Sequence, residues 1–161
     1  MILNRFPRLQ NLSQWIGGRQ NQTEEPAIDI WVYAEPAGEE ADPLKRNVLQ
    51  WRRLISAVPD PILSFAGQAV DVVGFVHRPL GTPTNQLVLA RQIIRCCLAD
   101  TVPLGLILQA DNMATYADQS WLRVEGHFEG VRQGGRSQLV VIPNHLEVID
   151  PPQKRYINGV F

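Results

Sequence analysis

Residues 87–108 read LVLARQIIRCCLADTVPLGLIL. Two apolar runs are joined by a short polar segment, and the chain's only two cysteines, Cys96 and Cys97, stand side by side at the end of the first. Residues 87–97 are rich in aliphatic and β-branched side chains with no Gly or Pro, the pattern of a well-buried strand. Asp100, Thr101 and Pro103 supply turn chemistry before the second run at 104–109. Arg91 and Arg95 are four apart, a spacing that also fits one face of a helix; the strand reading is preferred because turn residues close the run so soon.

Outward from this hairpin the pattern stays β. Residues 69–78 (AVDVVGFVHR) form a strand with Gly74 inside it, where a bulge or sharp coil is expected. Residues 79–85 are a turn. After the central hairpin, 111–119 has a helix-like polar composition and reads as a crossover. Residues 121–131 form a further strand containing Gly126. Gly134-Gly135 marks a hairpin, and 138–142 with 146–149 form a last strand broken at Pro143. Three strands, a crossover and two more strands give the order of an OB-type Greek-key barrel at about 66–150. The fold class expected is therefore mainly β, a five-stranded, OB-like antiparallel barrel.

One helix precedes it. Asn47 is a suitable N-cap, Val48, Leu49, Trp51, Leu54, Ile55 and Val58 make an apolar stripe, and Pro59 ends the run, so a helix is predicted at 47–58. Arg52 and Arg53 fall on its solvated side. Residues 34–46 are acidic with Pro and Gly and read as a loop, while 27–33 could add an edge strand. Residues 1–26 read as a flexible arm, of which the part up to about Gln22 is expected to add little to stability. The organisation expected is an arm and loop at 1–46, helix plus barrel at 47–150, and a tail at 151–161.

Composition narrows the function. With 15 basic and 16 acidic residues the net charge is −1, without the basic excess of a general nucleic-acid binder. The second and third barrel strands, where OB folds stack bases, carry no aromatic residue; Trp121 and Phe128 lie on the fourth. An OB-type nucleic-acid-binding module is therefore ranked last. No apolar run approaches the ~20 residues of a membrane-spanning helix, and the start does not read as a signal peptide. There is no phosphate loop, dinucleotide fingerprint or HExxH, so a non-catalytic role is expected.

Chemistry concentrates at the cysteines. Adjacent Cα atoms lie about 3.8 Å apart, short of the roughly 4.4–6.8 Å usual in disulfides, so free thiols are expected. On a strand the two would face opposite sides. Cys96 shares its side with Ile94 and is assigned to the core, and Cys97 to a functional side near Asp100. Two buried packing cysteines are the plain reading. The chemical one is a site for zinc or another soft metal built from Cys96, Cys97 and Asp100, with His77 and His127 completing the shell because the first and fourth barrel strands pair. Arg91, Arg95 and Asp100 suggest a structural ion pair holding strand to turn, or a small anion pocket.

The stretches GQAVDVVGFV, LARQIIRCCLADTVPLGL and SWLRVEGHF, in this order, with NVLQWRRLI before them, carry a family likeness. Over residues 47–150 the chain resembles the soluble conserved domain of the YcgQ-like family of two-component permease subunits, with Cys-Cys-Leu-Ala-Asp the most specific part. The resemblance implies an accessory domain working beside a multi-spanning membrane permease subunit, with no activity established for the soluble domain. Members of that family carry membrane segments ahead of this domain, and here there are none; the sequence is either an excised soluble portion or a member associated with the membrane through its partner.

Overall fold

The computed structural model describes residues 34–36 and 38–159. The edge strand expected at 27–33 and the arm before it lie outside them. The elements in chain order are β1 (Ala34–Glu35), α1 (Val48–Ala57), α2 (Pro61–Phe65), β2 (Ala69–His77), β3 (Gln86–Ile94), β4 (Thr101–Gln109), β5 (Trp121–Gln133), β6 (Arg136–Ile149) and β7 (Tyr156–Asn158), with 3₁₀ turns at Pro43–Lys45 and Met113–Thr115.

β2 to β6 close the barrel. The neighbours run β3-β2-β5-β6-β4, and β4 returns to pair with β3. All pairings within the barrel are antiparallel except β4 with β6, which meet in parallel at Leu108 and Val141. This is the five-stranded Greek-key closure expected from the strand order. Alternation along the strands sends Val70, Val72, Leu87, Leu89, Leu106, Leu108, Leu122, Val124 and Val141 into one buried cluster.

Glycines set the close approaches. A Cβ on Gly74 would stand 2.7 Å from the Ala90 carbonyl oxygen, where β2 draws against β3. The bulge itself lies elsewhere. The β5–β6 register shifts between Glu125 and Gly126, so that Glu125 faces His145 while Gly126 faces Pro143. Pro143 therefore sits at a bulge inside one continuous strand rather than ending it.

α1 follows its sequence signals closely. Asn47 and Gln50 form a reciprocal capping box at 3.0 and 2.8 Å. Its Trp51 is fully buried within the barrel cluster, edge-on to Phe128 and Phe65 with centroids 4.9 and 6.1 Å away. Other segments differ from expectation. Asp60 caps a second, short helix, α2, where a single helix was expected before the barrel. The 111–119 crossover holds a single 3₁₀ turn, seated by the buried Met113. Residues 34–46 are not all loop, since they hold β1 and the Pro43–Lys45 turn.

The tail is part of the sheet. β2 pairs with β3 only from His77–Val88 to Phe75–Ala90 and then peels away. β7 takes the vacated edge, running parallel to Gln92–Ile94, and β1 pairs in turn with β7. Ile157 is buried with Leu49 and Ile93 in a second small cluster.

Candidate functional site

β3 stops at Ile94, three residues short of its predicted end. Ile94 pairs with Thr101, and residues 95–100 between them are a loop. Two backbone hydrogen bonds shape it, Arg95 N–H to the Asp100 carbonyl and Asp100 N–H to the Cys97 carbonyl, each 3.0 Å. With both cysteines off the strand, alternation no longer applies to them. Cys96 and Cys97 are both exposed free thiols. The assignment of Cys96 to the core is therefore corrected, and so is the idea of two buried packing cysteines.

The loop gathers the thiols and one carboxylate. Cys96 Sγ lies 3.6 Å from Cys97 Sγ and 3.4 Å from Asp100 Oδ2. Arg95 reaches the same carboxylate at 3.9 Å, with both side chains largely in solvent. Hydrogen bonding to Cys97, and then to Asp100, pushes the Cys96 thiol up to about 11. Cys96 is thus protonated at neutral pH, and a metal ion must displace that proton to use the sulfur.

The histidines are not brought to this loop. His127 pairs with Ala69 at the start of β2, whereas His77 ends that strand and pairs with Val88. The two sit toward opposite ends of the β2–β5 ladder. His127 Nε2 lies 3.7 Å from Glu129, and His77 lies edge-on to Phe75 with ring centroids 6.4 Å apart. Among the described residues no three His, Cys, Asp or Glu side chains group closely enough to hold a metal ion. The placement does not bring His77 and His127 into one shell with the cysteines.

Arg91 has a partner other than Asp100. Its side chain is 1% exposed and its Nη1 lies 2.7 Å from Glu35 Oε1 on β1. The guanidinium also donates to the carbonyls of Lys154, Arg155 and Val73 and lies 5.5 Å from the Trp121 ring centroid. It fills the gap where β2 leaves β3 and the chain before β7 arrives. Beside it Arg123 makes a bidentate pair with Asp71 at 2.7 and 3.1 Å. These residues, with Lys45 and Arg46, line an open polar depression of about 330 Å³. Glu35 pairs with Arg91 and Asp71 with Arg123, while Arg46 donates to the Glu40 and Ala41 carbonyls. Arg91 and Arg95 are therefore not brought together in one anion pocket: Arg91 is buried on β3 with Glu35, and Arg95 is exposed in the loop after it.

Sequence reading missed Glu35, Asp71 and Arg123. Only the isolated charges in otherwise apolar or alternating runs pointed to them.

The molecule is thus a small OB-type barrel, clasped along one edge by both ends of the described chain and presenting an exposed dithiol at the β3–β4 turn. The family described as DUF1980 C-terminal domain matches residues 37–158, and the chain belongs to it. No curated protein matches the sequence. Among solved structures, "OBody NL8 bound to hen egg-white lysozyme" is similar over 52% of this chain and 96% of its own, at 17% identity and a TM-score of 0.29. Among the described residues no helix is long and apolar enough to cross a membrane.

Proposed function

We propose that this domain is a non-catalytic binding module of a membrane transport system, and that it binds a thiophilic metal ion through Cys96 and Cys97. One observation carries the reading: two exposed free thiols whose sulfurs lie 3.6 Å apart. Two thiolates on a tetrahedral ion, each at ~2.3 Å, are separated by about 3.8 Å. The loop therefore holds its sulfurs at nearly the spacing of one edge of such a site before any ion arrives. Soft ions, zinc and copper(I), prefer this donor pair.

Asp100 fits a supporting role. Its carboxylate is within reach of the Cys96 proton that metal binding must release. An exposed site with two protein donors suits an ion that is taken up and passed on, because further ligands can enter from outside. The resemblance to permease subunits supports placing this exchange beside a multi-spanning membrane partner.

Elemental analysis of protein purified without chelator under reducing conditions tests the reading. Zinc or copper in fixed proportion to protein, lost on Cys96→Ser, Cys97→Ser replacement, is expected. Metal-free protein that also fails to take up either ion when supplied contradicts it.

A further inference from the structure

The dithiol accounts for two corners of a metal site, and a closed zinc site needs about four ligands. Nothing else among the described residues supplies them, since no three ligating side chains converge. Asp100 approaches only the Cys96 sulfur and also faces Arg95. Leu98, which follows Cys97 in the loop, leaves 53% of its surface in water, and Val102 at the start of β4 leaves 36%. Exposed aliphatic side chains around a reactive pair lose unfavourable hydration when a surface closes over them.

Ligand count points to the identity of that surface. A second copy of the loop supplies the two missing thiolates as a like edge, each edge close to the tetrahedral spacing. Arg95 and Asp100 of each loop pair at 3.9 Å and so leave the charge of the centre unchanged. A two-fold arrangement needs one self-complementary patch, which a loop with its own donors and exposed aliphatic side chains provides.

We infer that one zinc ion joins two copies of this chain through Cys96 and Cys97 of each, making the β3–β4 loop a metal-gated dimer contact. This rests on the thiol-metal reading above and names the source of the missing ligands. The contact between two loops is too small to hold without the ion, since stable protein interfaces bury roughly 1,200–2,000 Å². Without the ion this loop therefore does not hold two copies together.

Sedimentation of the full chain, kept reduced, during titration with zinc chloride tests the inference. The expected result is a monomer without zinc, conversion to a dimer with a break at half an equivalent of zinc per chain, and reversal by EDTA. Cys96→Ser, Cys97→Ser should stay monomeric, and Leu98→Asp should weaken the dimer while keeping the thiols. Circular dichroism confirms that these exposed-loop variants fold. Zinc held one-to-one on a monomer, as for a site completed by a different protein or by water, overturns the dimer and leaves the thiol-metal reading standing. A dimer that survives EDTA or the double replacement also overturns it. Absence of any zinc binding overturns the dimer, and only failure to take up copper as well removes the thiol-metal reading.

Discussion

The Arg91 guanidinium, buried in the middle of β3, meets the Glu35 carboxylate at 2.7 Å across the gap that β2 leaves when it curls into the barrel. This contact joins β1, β3 and the approach to β7 at one point. It explains how the tail becomes a sheet edge: Arg91 also takes the Lys154 and Arg155 carbonyls just before β7 begins.

Arg91→Met should therefore cost about 3 kcal/mol, at the lower end of the ~3–5 kcal/mol for breaking a buried pair, because Glu35 remains 26% exposed to water. Glu35→Ala should cost a comparable amount, since it leaves a buried cation with carbonyl partners alone. Urea denaturation measures both. A midpoint unchanged for Arg91→Met would mean that the clasp is not a stability element.

Trp51→Ala should be the most damaging apolar truncation of α1. The indole is fully buried against Phe65 and Phe128, and truncation of buried aromatics costs about 3–5 kcal/mol. Thermal unfolding checks this, with Leu54→Ala on the exposed side of α1 as the comparison. Equal effects would place Trp51 outside the core.

A methyl group at Gly126 would collide with the Ile142 backbone carbonyl across the bulge, which side-chain rotation cannot relieve. Gly126→Ala should destabilise by about 1–3 kcal/mol, as overpacking does. Gly38→Ala, with open space around it, should be near neutral in the same denaturation assay.

Cys96 alkylation should be slow at neutral pH and rise with its midpoint near pH 11, reaching its plateau only above that, because the thiolate is the nucleophile and its proton is held by Cys97 and then Asp100. The folded value lies above the ordinary 9.0, so the stabilising contribution is present below about pH 9 and is lost as pH rises through about 11. Asp100→Ala should move the rate profile to lower pH, where the freed thiol ionises more readily and labels faster at any fixed pH below the plateau. Mass-spectrometric peptide mapping of labelling rates reads this directly, and a profile unmoved by Asp100→Ala would remove Asp100 from the site.

Much of the fold was legible in the sequence because its signals are local. Asn47 and Pro59 bracket α1, and strand order with one crossover gives the barrel. The extent of β3 was not legible. Cys96, Cys97 and Leu98 continue its apolar character, and only the pairing of Ile94 with Thr101 shows where the chain turns. Arg91 advertised its need for a carboxylate, but spacing favoured the nearby Asp100 over the distant Glu35, which reaches it through β1 and β7. His77 and His127 do lie on paired strands, as expected, yet register separates them along the ladder, and composition carries no register. The thiols and Asp100 were found because their proximity is set by one short loop.

The thiol-metal reading is tested most directly by X-ray absorption at the metal edge on zinc-loaded protein. A first shell containing sulfur at about 2.3 Å is predicted, lost when Cys96 and Cys97 are both replaced by serine. A shell of nitrogen and oxygen alone, unchanged by that replacement, would contradict it.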